Sequence, residues 1–154
     1  MIFDKLIKII ANIAKYKVAQ WSTNPIKTQQ KQFNYLMKIG SKTLFGREHN
    51  LFQGITYNEF KNRVPIRDYE QIKHYIERVK NGEDNILWKG KPIYFAMTSG
   101  TTSGSKYIPI TKHSLKNHLN GAKNAILLYI AETNNTSFID GKFIFIQGLS
   151  LIHI

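Results

Sequence analysis

A chain of 154 residues, 42% hydrophobic and 21% charged, is long enough for one modest core and too apolar for a disordered segment. It has no cysteine, which excludes a disulfide framework and any thiolate metal site. The net charge of +12 is concentrated at the start, where residues 1–48 carry nine Lys/Arg against two acids. Such a segment attracts polyanions, although a solvated lysine-rich face has the same composition.

Ile2, Phe3, Leu6, Ile9, Ile10, Ile13 and Ala14 recur at helical spacing, interrupted by Asp4, Lys5, Lys8, Asn12 and Lys15. This is an amphipathic helix rather than a span of about 20 apolar residues. It lacks the compact apolar stretch and small-residue cleavage site of a signal peptide. Residues 125–131, the longest apolar run elsewhere, are too few to cross a bilayer, so no stable membrane insertion and a cytoplasmic location are expected. Asn24 before Pro25 starts a second helix, with Asn as cap and Pro in the first turn. Its stripe of Ile26, Phe33, Leu36, Met37 and Leu44 closes near Phe45 and Gly46. Thr56 with Glu59 forms a capping box ahead of a short helix carrying Phe60, and Val64 before Pro65 is extended. Asp68 with Gln71 repeats the box, and Ile72, Tyr75, Ile76 and Val79 mark a helix that stops at Asn81 and Gly82. Residues 1–90 are therefore mainly helical and hold no catalytic constellation.

The character changes at Ile93. Residues 93–97 are a short apolar run suited to a buried strand, and residues 107–110 are extended again. Thr111 then caps a helix whose stripe is Leu115, Leu119, Ala122, Ile126 and Tyr129. After a polar turn at 134–136, residues 142–146 read as another buried strand. Helices followed by strand–loop–strand–helix–strand predict an α/β fold whose sheet is unfinished.

Between the first two strands lie Thr98, Ser99, Gly100, Thr101, Thr102, Ser103, Gly104, Ser105 and Lys106, with no large apolar side chain among them. Two glycines let the backbone approach a ligand and adopt positive φ. Six hydroxyls can donate to phosphate oxygens, exposed backbone N–H groups add a concave anion site, and Lys106 brings a compact positive charge. Together these describe a grip on a triphosphate. An ordinary Ser/Thr/Gly linker has this composition too, but linkers rarely sit between two apolar strands. A Walker loop requires G-x-x-x-x-G-K-[ST], whereas Gly100, Gly104 and Lys106 give G-x-x-x-G-x-K followed by Tyr107. The G-x-S-x-G elbow of serine hydrolases is absent.

The loop resembles the phosphate loop of the acyl- and aryl-CoA synthetase, adenylation-domain and luciferase superfamily. Within it the chain is most similar to the auxin-responsive promoter (GH-three) family of acyl-acid amido synthetases. Further segments carry the likeness: Thr43, Leu44, Phe45 and Gly46 followed by His49; Phe60 with Val64, Pro65, Ile66, Asp68 and Tyr69; Gly82 with Glu83; and Ile108, Pro109 and Thr111 after Lys106. It extends from about Trp21 to Gly148. Several relatives open the loop with Ser-Ser where this chain has Thr98 and Ser99, which keeps a hydroxyl.

The resemblance implies an ATP-dependent, adenylate-forming ligase that activates a small carboxylic acid as its acyl-adenylate and passes it to an amine or amino acid. It places Thr98, Ser99, Thr101, Thr102 and Ser103 on phosphate oxygens, lets Gly100 and Gly104 shape the loop, and gives Lys106 the catalytic role of neutralising charge. It implies Mg²⁺ beside ATP, with the metal's carboxylate ligand beyond this chain. Residues 1–148 then form the N-terminal portion of the large adenylate-forming domain, helical over 1–90 and α/β over 93–148, and alone are expected to be inactive. Residues 149–154 match the in-frame translation of a transposon end used in sequencing libraries and are expected to be foreign. His113 and His118, five apart, do not share a helix face and are not expected to bind metal. Asp68 and Glu70 read as helix-start residues rather than paired catalytic carboxylates. The alternative is a basic helical module that binds nucleic acid or a membrane surface, supported by the basic first segment with Trp21, Phe33 and Tyr35. Those aromatics fall on helical stripes that read as core, and no recognition motif accompanies them, so nucleic acid is not an expected partner.

Overall fold

The computed structural model describes residues 2–98, 104–142 and 151–153. Among these described residues six α-helices run α1 (Ile2–Ser22), α2 (Pro25–Gly40), α3 (Leu44–Glu48), α4 (Tyr57–Arg63), α5 (Tyr69–Lys80) and α6 (Lys112–Thr133). Three strands, β1 (Tyr94–Thr98), β2 (Lys106–Ile110) and β3 (Leu151–His153), form an antiparallel sheet in the order β2-β1-β3. The described fold is thus mostly helical with one small sheet. The chain divides into two compact units, residues 29–114 with 149–154 and residues 1–28 with 115–148.

The first of these units holds the sheet. The helix starts follow local chemistry. Thr56 and Glu59 exchange side-chain and backbone hydrogen bonds at the start of α4, and Asp68 and Gln71 do the same at α5, so both capping boxes form as the sequence predicts. The second helix does not run to Gly46. It ends at Gly40, and Thr43 starts the separate α3 by accepting from the Gly46 N–H at 3.0 Å. The reason is tertiary: the N–H groups of Leu44 and Phe45 donate to the carbonyls of Asn85 and Ile86, at 2.8 and 3.1 Å. A continuous helix would have kept those donors for its own turns.

Tyr75, Ile76 and Val79 of α5 pack with Ile86 and with Phe95 of β1. Phe95 is only 2% exposed, while the other residues of β1 and β2 are half-buried or exposed. A second cluster joins Met37 of α2 to Leu51 and Ile55, with Phe33, Phe60 and Val64 around it, and Phe45 touches both clusters. Burial, and then the 2.5 Å hydrogen bond it donates to Glu48, push the Tyr75 phenol up. β1 is less buried than its apolar run predicts, because Met97 faces outward.

In the other unit Lys15 of α1 pairs with Glu132 of α6 at 3.1 Å, and the Thr136 hydroxyl donates to Asp4. Two sequence expectations fail here. On α1 the buried positions are Ala11 and Ala14, while Phe3, Leu6, Ile9, Ile10 and Ile13 are exposed. On α6, Ile130 is buried, whereas Leu119, Ala122, Ile126 and Tyr129 of the predicted stripe are exposed. Residues 125–131 are apolar all round, so periodicity there does not select a face. Trp21 is also exposed, at 53%, and is not core. Thr111 and Ser114 do bond each other's backbone N–H at the start of α6, as the predicted cap requires. Of the strand predicted over 142–146, Lys142 has irregular backbone and 143–146 lie outside the described residues. Among the described residues no helix is long and apolar enough to cross a membrane.

Candidate functional site

The loop singled out by the sequence connects β1 and β2, which pair as the two arms of a hairpin. The strands pair antiparallel from Tyr94 opposite Ile110 to Thr98 opposite Lys106, and the Ile93 N–H adds a bond to the Ile110 carbonyl at 2.8 Å. Thr98 and Lys106 therefore face each other at the mouth of the turn. Gly104 has φ +80° and lies exposed with open space where a Cβ would stand. Its backbone, not crowding, is what requires glycine. Ser99, Gly100, Thr101, Thr102 and Ser103 lie outside the described residues. Of the predicted ligand-binding residues, the structure thus places Thr98, Gly104 and Lys106.

The second foot of the turn is held by α5. Tyr69, the first residue of that helix, accepts a hydrogen bond from the Tyr107 N–H at 2.9 Å. Its ring lies 5.7 Å from the Lys106 Nζ. At the other end of α5, Lys80 sits 4.3 Å from the centre of the Tyr107 ring and pairs with Glu77 at 3.0 Å. Tyr107 also meets Phe95 edge to face, with ring centres 6.3 Å apart. The strand carrying Lys106 is thereby tied both to Phe95 of the core and to the two ends of α5. Sequence reasoning quoted Tyr69 only as part of a family segment. Its position at N1 of a capped helix, beside the half-buried β2, is a relation the sequence does not display.

Elsewhere the expected structural roles hold for Asp68, whose carboxylate accepts from the Gln71 N–H, and for Glu70, which pairs with Lys73 at 3.1 Å. His113 lies 2.8 Å from the Tyr35 hydroxyl and stacks on Trp88, with ring centres 5.6 Å apart. Tyr35 is therefore a surface partner of His113 rather than core. The two rings and Trp88 line an open cleft of about 410 Å³ with Lys89, Lys91 and Lys112 at its rim. His49 is buried, stacked on Phe45 at 4.1 Å, with Nδ1 2.7 Å from the Phe45 carbonyl and Nε2 2.7 Å from Arg67. Because Arg67 can only donate, Nε2 accepts and Nδ1 carries the proton. No group of three or more His, Asp or Glu among the described residues is placed to hold a metal ion.

Comparison with known proteins gives the class first. The family model described as the GH3 family N-terminal domain matches residues 14–148, and the chain belongs to the GH3 family. Its relatives are amido synthetases. The probable indole-3-acetic acid-amido synthetase GH3.13 of Oryza sativa subsp. japonica is 47% identical over 58 residues, 36% of this chain and 12% of that protein. Indole-3-acetic acid-amido synthetase GH3.15 of Arabidopsis thaliana is 41% identical over 73 residues, 46% of this chain and 12% of that protein. Jasmonoyl–L-amino acid synthetase JAR4 of Nicotiana attenuata is 24% identical over 125 residues, 79% of this chain and 21% of that protein. The chain thus spans 12 to 21% of the length of these curated relatives. No solved structure matches it significantly.

Proposed function

We propose that the chain carries the triphosphate-gripping hairpin of an ATP-dependent acyl-acid amido synthetase. In that reaction a carboxylate oxygen attacks the α-phosphorus of ATP and pyrophosphate leaves. An amine then attacks the acyl carbon of the adenylate, loses a proton and releases AMP. The observation that carries this reading is Lys106 set opposite Thr98 at the mouth of a Ser/Thr/Gly turn, in a chain of the GH3 family. Negative charge grows on phosphoryl oxygens as the first step proceeds, and fixed donors there lower its barrier. Thr98, Ser99, Thr101, Thr102 and Ser103 offer hydroxyls, Gly104 gives the turn its left-handed residue, and Lys106 offers the countercharge. Mg²⁺, when bound with ATP, supplies further countercharge to the phosphates. The acid is a small carboxylic acid and the acceptor an amine or amino acid, by analogy with the names of the relatives. Pockets for both belong to parts of the protein beyond these residues.

The test is acid-dependent exchange of labelled pyrophosphate into ATP by the enzyme that carries this segment. Lys106→Ala is expected to slow exchange about a hundredfold or more, with thermal unfolding unchanged because Lys106 supports no core. Exchange at the wild-type rate in that variant would refute the role of Lys106.

A further inference from the structure

We propose that Tyr69 is the positioning residue for Lys106, its hydroxyl fixing the backbone beyond the lysine and its ring seating the ammonium at the mouth of the hairpin. The inference rests on the reading of that hairpin as a triphosphate grip, and adds to it a residue outside the loop.

Three observations converge. β2 is an edge strand of the described sheet, so its outward amides have no neighbouring strand to meet. The Tyr107 N–H is one of them, and it donates to the Tyr69 hydroxyl at 2.9 Å. An unpaired edge amide leaves a strand end free to fray, and the residue that would fray first is the lysine at its start. Second, the Lys106 Nζ stands 5.7 Å from the Tyr69 ring centre, within the range where a ring face attracts a cation. Third, none of the ion pairs among the described residues involves Lys106. A carboxylate partner would cancel the charge that a phosphate needs. A ring orients the ammonium while leaving that charge available, and it gives the ammonium up without leaving a buried ion behind.

The placement of Tyr69 is itself enforced. Asp68 caps α5 by accepting from the Gln71 N–H at 2.9 Å, while Gln71 accepts from the Asp68 N–H at 3.0 Å. Tyr69 is the next residue, and it packs against the Phe95 cluster. The hydroxyl is thus delivered to β2 by a helix end that cannot rotate without breaking its cap. Phenylalanine at this position would keep the ring and lose the acceptor. Leucine would lose both.

The two contributions separate by experiment on the 154-residue chain, with inorganic tripolyphosphate as the probe and calorimetry as the binding readout. Tyr69→Phe should speed hydrogen exchange of the Tyr107 amide about tenfold, the effect of one lost hydrogen bond. Tyr69→Leu should weaken tripolyphosphate binding about tenfold, the scale of a lost cation–ring contact with its orientation. Because that loss runs through the lysine, Tyr69→Leu should add less than about twofold once Lys106→Ala is present. The wild-type chain gives a check that needs no variant. The Lys106 side-chain protons should be shifted upfield by the ring current and should move back when tripolyphosphate is added. Wild-type affinity in a folded Tyr69→Leu chain, the same tenfold loss in the Lys106→Ala background, unchanged Tyr107 exchange in Tyr69→Phe, or an unshifted Lys106 resonance each overturns the positioning role. Failure of Lys106→Ala to weaken binding is a different result and strikes the triphosphate reading itself.

Discussion

Gly46 is the most demanding position described. A Cβ built there would lie 2.1 Å from the Gly40 carbonyl oxygen and 2.7 Å from the Ser41 Cα, both backbone atoms. Gly46→Ala must therefore push the end of α2 away by more than ~1 Å to reach ordinary contact. That carbonyl accepts from the Thr43 N–H at 3.0 Å and from the Thr43 hydroxyl at 2.7 Å. Thr43, 1% exposed, in turn caps α3. Loosening two hydrogen bonds costs about 2 kcal/mol, and the overpacking itself about 1–3 kcal/mol. Alanine's better helix propensity returns about 1 kcal/mol. The net expectation is a loss of about 2–4 kcal/mol, a large part of a small domain's stability. Urea unfolding followed by circular dichroism measures it, with Gly40→Ala as control because no atom lies within 4 Å of a Cβ there. The control should stay within about 0.5 kcal/mol of wild type. A Gly46→Ala chain with the wild-type midpoint would refute the close approach and the argument built on it.

The remaining expectations are of opposite kinds. Gly121, inside α6 with open space at its Cβ position, should accept alanine with a gain of about 0.5–1 kcal/mol, read from the same urea curves; a loss would mean that the helix surface is occupied there. The Glu59 carboxyl is held below its usual value first by the Thr56 hydroxyl and then by the Thr56 N–H. Since its folded value is the lower one, the cap's contribution is complete above the unfolded value and is lost as pH falls through the folded one. In an NMR titration the Thr56 amide resonance should move with a midpoint below pH 4.5 and stay still in Glu59→Gln; a midpoint at or above that value would contradict the box.

What was legible in the sequence was what neighbouring residues decide. Both capping boxes, the Thr111 cap and the two strands that flank the Ser/Thr/Gly run are written within a few positions of one another, and each formed. The break between α2 and α3 is set by Asn85 and Ile86, some forty residues on, so a stripe through Met37 and Leu44 passes over it. On α1 and α6 there were more apolar residues than one buried face requires, and periodicity could not say that Ala11, Ala14 and Ile130 would be the covered ones. The candidate site divides the same way. Lys106 and Thr98 announced themselves through composition, whereas Tyr69 is thirty-seven residues from Lys106 and meets it only because α5 packs beside β2.

The unbroken pairing of β1 with β2 has a consequence for how this segment can diverge. Each foot of the turn is pinned by the residue across from it, so residues gained or lost between positions 99 and 105 leave Thr98 and Lys106 where they are. One residue lost inside β2 does the opposite. It would turn every following side chain to the other face, send the Tyr107 ring away from Phe95 and Lys80, and detach the lysine from its neighbours. Length variation in homologous genes should therefore be tolerated within the turn and purged from the two strands that carry it.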